Sequence, residues 1–275
     1  MPRNICITAA DGHTGIAIVE LLLDELFSRK VDSVIAMVLD PNSEHAARAK
    51  ELGAQVALHK PGRERVVVKT LQDSQCDTLC LIPPAHKDKT SITYELISAS
   101  KKAKIPNVLF ISSAGRDFAD PRKQPHLRGF IEMEAEFLAT KGDSTTPTGT
   151  SPCIIRAGFY AENILLYAPQ VTQEALLPLP IGSKHKFAPV ALGDVANVSA
   201  HILTGKGRHG FDDRHRGQMM VVTGPELCAG EELATAASQA LDVTMQFDDI
   251  SEAEAEKVLK AQSDCDQSEL QCLLE

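Results

Sequence analysis

Between residues 4 and 159, apolar segments of strand length alternate with longer segments that have the period of an α-helix. Continuous apolar runs of this kind are typical of parallel strands that helices cover on both faces. The pattern therefore predicts a doubly wound α/β fold with right-handed crossovers. The predicted strands lie at residues 4–8, 33–39, 54–60, 77–84, 107–115 and 151–159, and the predicted helices at 14–27, 43–53, 87–104 and 127–141.

The turn after the first strand has the small-residue spacing of a dinucleotide-binding loop, with Ala9, Gly12 and Gly15 in the three glycine positions. In such a loop the second glycine lets backbone N–H groups approach a pyrophosphate, and the third lets the helix pack against the strand. Ala9 serves the first position if its φ is negative. Asp11 raises an alternative, because a carboxylate at a helix N-terminus can cap the free N–H groups and compete with a phosphate. The loop therefore predicts a Rossmann-like nucleotide site or, alternatively, an empty, self-capped helix.

The end of the second strand leaves the choice of dinucleotide open. Asp40 is placed to bind a ribose 2′-hydroxyl, which favours NAD, but Asp-Pro-Asn at residues 40–42 also reads as a simple turn. Arg48 and Lys50 lie a turn too late on the following helix to accept the 2′-phosphate of NADP. The sequence thus predicts NADP or NAD without deciding between them.

Beyond residue 159 the alternation fades, and we expect two parts: a dinucleotide-binding domain at residues 1–155 and a smaller substrate-side lobe at 156–275. The polar loop at 142–150 is expected to lie in solvent. A helix at 190–203, which Asp194 helps to start, is expected to pack back on the sheet. The other expected elements are an irregular apolar segment at 176–182, a strand and turn at 217–226, a helix at 229–241 and a solvent-facing helix of alternating charge at 250–270.

Composition excludes several classes of function. A formal net charge of −9 argues against a nucleic-acid-binding surface. The chain shows no signal peptide and no apolar run of membrane-spanning length, which predicts a cytoplasmic protein without a membrane partner. Seven cysteines, scattered singly, predict buried thiols rather than disulfides, and no residue spacing suggests a metal site.

Several further segments accompany the loop at 9–15: "LDP" at 39–41, "GAQV" at 53–56, "LIPP" at 81–84, "FISSAG" at 110–115, "IIRAGFYAENIL" at 154–165 and "KHKFAPVALGDVANVSAHIL" at 184–203. With these segments the chain resembles the NmrA-like atypical short-chain dehydrogenases. The resemblance implies one of two activities. Some members are NAD(P)H-dependent reductases, including fungal biosynthetic enzymes, and others are redox-sensing regulators that bind the cofactor without turnover.

The resemblance and the loop together predict the site. A small carbonyl, enone or quinone would lie between residues 83–84, 112–113, 159–160 and the C-terminal lobe, in a secondary-metabolic role. His126 and Tyr160 are the candidate proton donors, although His126 also reads as a helix-start residue. The residues predicted to bind the cofactor are Ala9, Gly12, His13, Thr14, Gly15, Asp40, Pro83, Pro84, Ser112, Phe159 and Asn163.

Departures from the family pattern favour the alternative function. The family's lysine position on the helix after the fifth strand is Phe130, which can neither carry charge nor donate a hydrogen bond. The family's arginine after the second strand is Leu39, and its acid after the third strand falls at about Lys60. Family members often continue beyond the segment that ends this sequence. The alternative to a reductase is therefore a non-catalytic NAD(P)-binding sensor that acts through a protein partner.

Overall fold

The computed structural model describes residues 3–139, 151–207, 210–262 and 267–275, so the predicted loop at 142–150 lies outside the described residues. A parallel seven-stranded sheet, in the order β3-β2-β1-β4-β5-β6-β8, forms the centre of the described chain, and β7 pairs with β9 in a second, parallel sheet. The order reverses between β1 and β4, which in such sheets opens a crevice at the carboxyl ends of the strands. The strands are β1 (Arg3–Ile7), β2 (Val31–Val38), β3 (Gln55–Leu58), β4 (Thr78–Leu81), β5 (Asn107–Ser113), β6 (Ser151–Ala157), β7 (Leu176–Leu179), β8 (Met219–Val222) and β9 (Gln246–Asp249).

Helices cover both faces of the main sheet, as continuous apolar strands require. Helices α1, α2, α3 and α8 pack on one face, and α4, α5 and α6 pack on the other. The helices are α1 (His13–Leu23), α2 (Glu25–Ser28), α3 (Glu44–Glu51), α4 (Glu64–Asp73), α5 (Lys89–Ala103), α6 (Pro125–Leu138), α7 (Ala168–Glu174), α8 (Leu192–Leu203), α9 (Gly230–Leu241), α10 (Glu252–Gln262) and α11 (Gln267–Leu274). Short 3₁₀ helices follow β5 (Arg116–Phe118) and β6 (Ala161–Tyr167).

The doubly wound α/β fold is confirmed, with local differences from the predicted elements. The helix predicted at 14–27 breaks at Asp24, whose extended backbone (φ −72°, ψ 159°) separates α1 from α2. Helix α4 was not predicted. The boundary proposed at 155/156 falls inside β6, and both α8 and β8 of the later segment belong to the layers of the main sheet.

A second hydrophobic cluster lies in the C-terminal lobe and corrects two expectations. The segment at 176–182 is not irregular, because β7 pairs with β9 and buries Leu177 and Leu179. The acidic segment at 250–270 is not simply a solvent-facing surface either, since α10 buries Leu259 and α11 buries Leu270 in the same cluster. Within the described residues no helix is both long enough and apolar enough to cross a membrane.

Candidate dinucleotide site and adjoining cavity

The N-terminus of α1 points out of the loop after β1 with its backbone available. Gly12 is the N-cap residue in an extended conformation (φ −98°, ψ 162°), and among the described residues no side chain caps this helix. A Cβ at Gly15 would lie 2.4 Å from the Ala9 carbonyl oxygen, so only glycine allows α1 to pack this closely on the turn. A Cβ at Gly12 would meet its nearest atom at 3.4 Å, an ordinary contact. This geometry fits a phosphate bound at the uncapped end of the helix.

Asp11 does not cap α1, which corrects that expectation. Its Oδ2 accepts hydrogen bonds from the backbone N–H groups of Leu39 and Asp40, both at 2.8 Å. The Asp11 carbonyl oxygen lies 2.9 Å from Nδ1 of His45. The carboxylate therefore joins the loop to the end of β2 and leaves the N-terminus of α1 open to an anion.

Ala9 adopts the left-handed backbone region with a φ of 47°, so the condition of a negative φ is not met. A residue with a Cβ in this region costs roughly 1–2 kcal/mol. The N–H of Gly12 donates to the Ala9 carbonyl at 3.0 Å, which closes a turn directly after this residue. The loop thus keeps the glycine geometry at its first position without the glycine.

At the end of β2, Asp40 forms the predicted turn. Its Oδ1 accepts from the N–H of Asn42 at 2.9 Å, while the side chain stays exposed. Arg48 is held by Glu20 at 2.9 Å and reaches Glu51 at 3.8 Å. Both interpretations of Asp40, as a turn residue and as a ribose ligand, are compatible with this geometry.

A buried ionic network lies at the carboxyl ends of β5 and β6. Arg116, almost fully buried, contacts the Glu134 carboxylate and donates to the Ser113 carbonyl at 3.0 Å. Arg156 donates to Glu134 from Nε at 3.3 Å and from Nη2 at 3.0 Å, and to Asp117 at 2.7 Å. Glu134, on α6, therefore fixes this helix to the ends of two central strands. This network was not predicted from the sequence.

The two predicted proton donors lie apart from each other. The Thr14 hydroxyl and the Tyr160 hydroxyl are 3.4 Å apart, which places Tyr160 at the first turn of α1. Burial raises the pKa of Tyr160. His126 lies in the first turn of α6, and its Nε2 is 3.0 Å from Oε1 of Gln271 on α11.

Beyond the end of β6 the lobe forms an open cavity of about 310 Å³, within the size range of small-molecule sites. Phe159, after β6, meets the ring of Phe187 edge-on at 5.4 Å. The remaining lining residues are Asn163, Leu166, Tyr167, Leu179, Pro180, Ile181, His185, Lys186, Leu259, Leu273, Leu274 and Glu275. The wall is mostly apolar, with a few polar groups converging on it.

The predicted residues thus fall into groups. Phe159 and Asn163 line the cavity, Ser112 is buried at the end of β5, and His126 does not line the cavity. Ala9, Gly12, His13, Thr14, Gly15 and Asp40 lie at the ends of β1 and β2, and Pro84, next to Pro83, lines a small crevice there with Ala9, Leu39 and His59. His185 was missed, because "GSKHKF" at 182–187 carries no signal for a cavity that forms only when the lobe folds.

A sequence model of the NmrA-like family matches residues 1–266. The chain belongs to the NmrA-like family. An NAD(P)H azoreductase from Xenophilus azovorans is 25% identical over 239 residues, covering 86% of this chain and 73% of that protein.

Solved structures of this type share the fold at lower identity. The NADPH-dependent quinone oxidoreductase QOR2 of Escherichia coli, complexed with NADPH, superposes with a TM-score of 0.76 at 21% identity, covering 98% of this chain and 86% of that chain. The triphenylmethane reductase of Citrobacter sp. also gives 0.76, at 17% identity over 94% of this chain and 82% of that chain. NmrA, a negative transcriptional regulator, in complex with NADP gives 0.72 at 15% identity, covering 90% and 74%. Both reductases and a regulator therefore stand among the neighbours of this NmrA-like chain.

In this NmrA-like chain the position of the family lysine is packed rather than open. Phe130 is half-buried against the core under α5 and α6. The ammonium of Lys89, at the start of α5, lies 5.2 Å from the centre of its ring and 2.6 Å from Glu269 of α11. Glu269 of α11 therefore forms an ion pair with Lys89, whose ammonium lies beside the ring of Phe130.

Proposed function

We propose that this NmrA-like chain binds NAD(P)H at the loop after β1 and reduces a small, mostly apolar carbonyl, enone or quinone in the adjoining cavity. The observation that carries the proposal is the open N-terminus of α1, with the Asp11 carboxylate turned to Leu39 and Asp40. An empty, self-capped helix would need that carboxylate on α1. The azoreductase and quinone oxidoreductase among its relatives support the same class of reaction. Resemblance to fungal biosynthetic members supports a secondary metabolite as the substrate.

The protein's own residues would position the reactants. Gly12 lets the backbone approach a pyrophosphate, and Asp40 is exposed where a ribose hydroxyl would lie. A bound nicotinamide would supply the hydride, which is chemistry that the chain itself does not carry. The rings of Phe159 and Phe187 form an edge-to-face pair on the cavity wall, a surface suited to a planar acceptor. The network of Arg116, Glu134 and Arg156 joins α6 to the carboxyl ends of β5 and β6.

A second candidate is a sensor that binds the dinucleotide without turning it over. Phe130 at the lysine position favours it, as does the regulator NmrA among the structural neighbours. This candidate predicts tight dinucleotide binding, no oxidation of NADH or NADPH with any acceptor, and a protein partner.

Turnover separates the two candidates. The purified chain, stripped of nucleotide, is mixed with NADH or NADPH and a panel of quinones, enones and azo dyes, and the loss of reduced-nicotinamide absorbance is followed. We expect oxidation that depends on the acceptor and falls in Phe159→Ala, with Phe118→Ala as a control at a 92% exposed ring outside the cavity lining. Binding without oxidation across the panel would favour the sensor. No binding would reject both candidates.

A further inference from the structure

We infer that His185 is the proton donor for reduction in the cavity. The inference rests on the proposed function, because it concerns the same cavity and acceptor. Hydride addition from reduced nicotinamide to a carbonyl carbon, or to the conjugated carbon of an enone or quinone, moves the electron pair of the C=O bond onto oxygen. That oxygen takes the proton from Nε2 of the His185 imidazolium, which gives an alcohol or an enol, respectively, and oxidised nicotinamide. Water then returns a proton to the neutral imidazole.

His185 is an exposed residue in a tight turn that lines the cavity. The His185 N–H donates to the carbonyl of Gly182 at 3.3 Å, and the Gly182 N–H donates to Asp249 at 3.0 Å. Gly182 has a φ of 73°, and a Cβ there would lie 2.8 Å from Nδ1 of His185. The positive φ therefore favours glycine at position 182, and a larger residue there would displace the His185 ring.

The hydrogen bonds of the ring leave one nitrogen for the acceptor. Nδ1 of His185 lies 2.9 Å from the carbonyl oxygen of Ile181, and a carbonyl only accepts, so Nδ1 carries a proton. Nε2 is then the nitrogen that gains and releases a proton, and the partner at Nδ1 keeps the ring oriented while it does so.

The other polar side chains on the cavity wall either pair with groups outside the cavity lining or are poor acids. Lys186 pairs with Glu232 at 2.8 Å, and Oε2 of Glu275 accepts from the N–H of Leu127 at 2.7 Å. The amide of Asn163 does not release a proton at neutral pH, and burial raises the pKa of Tyr167. Among the described groups on this wall, the imidazole of His185 is the side chain that can both hold and release a proton at a ring nitrogen.

The test compares His185→Ala, His185→Gln and the control His201→Gln on α8, with the quinone or enone that the wild type reduces fastest. We expect kcat to fall about 10²–10⁴-fold in both His185 variants, with the Kd of NADPH and NADH unchanged. Added imidazole should restore part of the kcat of His185→Ala, because the shortened side chain leaves room for a free base. His201→Gln should retain the wild-type kcat.

Three results would overturn the inference. A kcat within twofold of wild type in His185→Ala would show that another group gives the proton. A loss that imidazole does not restore would assign His185 a structural role. A fall in kcat of about 10²–10⁴-fold in His126→Gln, with the kcat of the His185 variants unchanged, would assign the proton donor to His126 on α6 instead. Failure of the wild type to bind either dinucleotide would instead reject the proposed function, and the inference with it, so the Kd measurement separates the two failures.

Discussion

Glu134 binds Arg156 through both carboxylate oxygens, at 3.3 Å from Nε and 3.0 Å from Nη2. Arg116 contacts the same carboxylate at Oε2 and is almost fully buried. The three residues join α6, the 3₁₀ helix after β5, and β6. A single acid therefore holds together the elements that surround the carboxyl edge of the sheet where we place the reaction.

Replacing this acid should be costly. In Glu134→Gln the guanidinium of the buried Arg116 loses its nearest counter-charge and keeps only the longer pair with Asp117 at 3.9 Å. Breaking a buried ion pair typically costs about 3–5 kcal/mol of the free energy of unfolding. Urea denaturation followed by circular dichroism measures it. Glu136→Gln, on the same helix but in an exposed pair with Lys101, should change the free energy of unfolding by less than about 1 kcal/mol. Equal effects of the two substitutions would show that the buried network contributes little.

Ala9→Gly should stabilise the protein. The φ of 47° costs an alanine roughly 1–2 kcal/mol, and glycine removes that cost while losing some chain entropy on folding, so we expect a net gain of about 0.5–1 kcal/mol. Ala10→Gly is the matched control, because Ala10 is fully buried and lacks a positive φ, so that substitution should destabilise. A lower melting temperature for Ala9→Gly would contradict the strain argument.

Phe130→Lys should not restore the family's lysine. The new ammonium would be placed next to Lys89, and the packing of the ring against the core would be lost. We expect a lower melting temperature and no gain in turnover of NADH or NADPH. Phe130→Leu, which keeps an apolar side chain, should lose less stability. A rise in turnover for Phe130→Lys would show that the lysine's role transfers to this chain despite the packing.

His13, at the start of α1, should lower the free energy of unfolding at acidic pH. Burial, and next the neighbouring His45, lowers the pKa of His13 below 6.5. The unfolded chain then binds a proton more readily than the folded chain, so the free energy of unfolding is retained above pH 6.5 and falls as the pH drops below it. His13→Gln should flatten that part of the profile in urea denaturation. An unchanged pH profile in the variant would place the titrating group elsewhere.

Most strands of the main sheet could be predicted, because a short continuous apolar run between two helical segments is typical of a parallel strand that is buried on both faces. Helix α4 was missed because Glu64–Asp73 carries one short apolar stretch among charged residues. The local pattern predicts an irregular segment at β7, because the partner strand, β9, lies about seventy residues later and local pattern carries no signal for such a pairing.

Site residues whose roles depend on neighbours in sequence could be predicted, and those whose roles depend on distant elements could not. The loop could be predicted from its glycine spacing, because the atoms that require glycine at position 15 belong to Ala9, only six residues earlier in the chain. The role of Asp11 could not be predicted, because a carboxylate at a helix start can cap that helix or reach another element. The partners of Asp11, Leu39 and Asp40, are brought close by the pairing of β1 with β2. His185 reaches the cavity only through the fold of the lobe.

Binding of the dinucleotide tests the account most directly. Isothermal titration calorimetry with NADPH, NADH, NADP⁺ and NAD⁺ compares the stripped wild type with Gly12→Val, whose Cβ the fold accommodates but whose branched side chain lies where a phosphate must approach. We expect saturable binding of at least one reduced form to the wild type and its loss in Gly12→Val, with the melting temperature of the free protein little changed. No heat with any of the four, or equal affinity in the two proteins, would contradict a dinucleotide site at this loop.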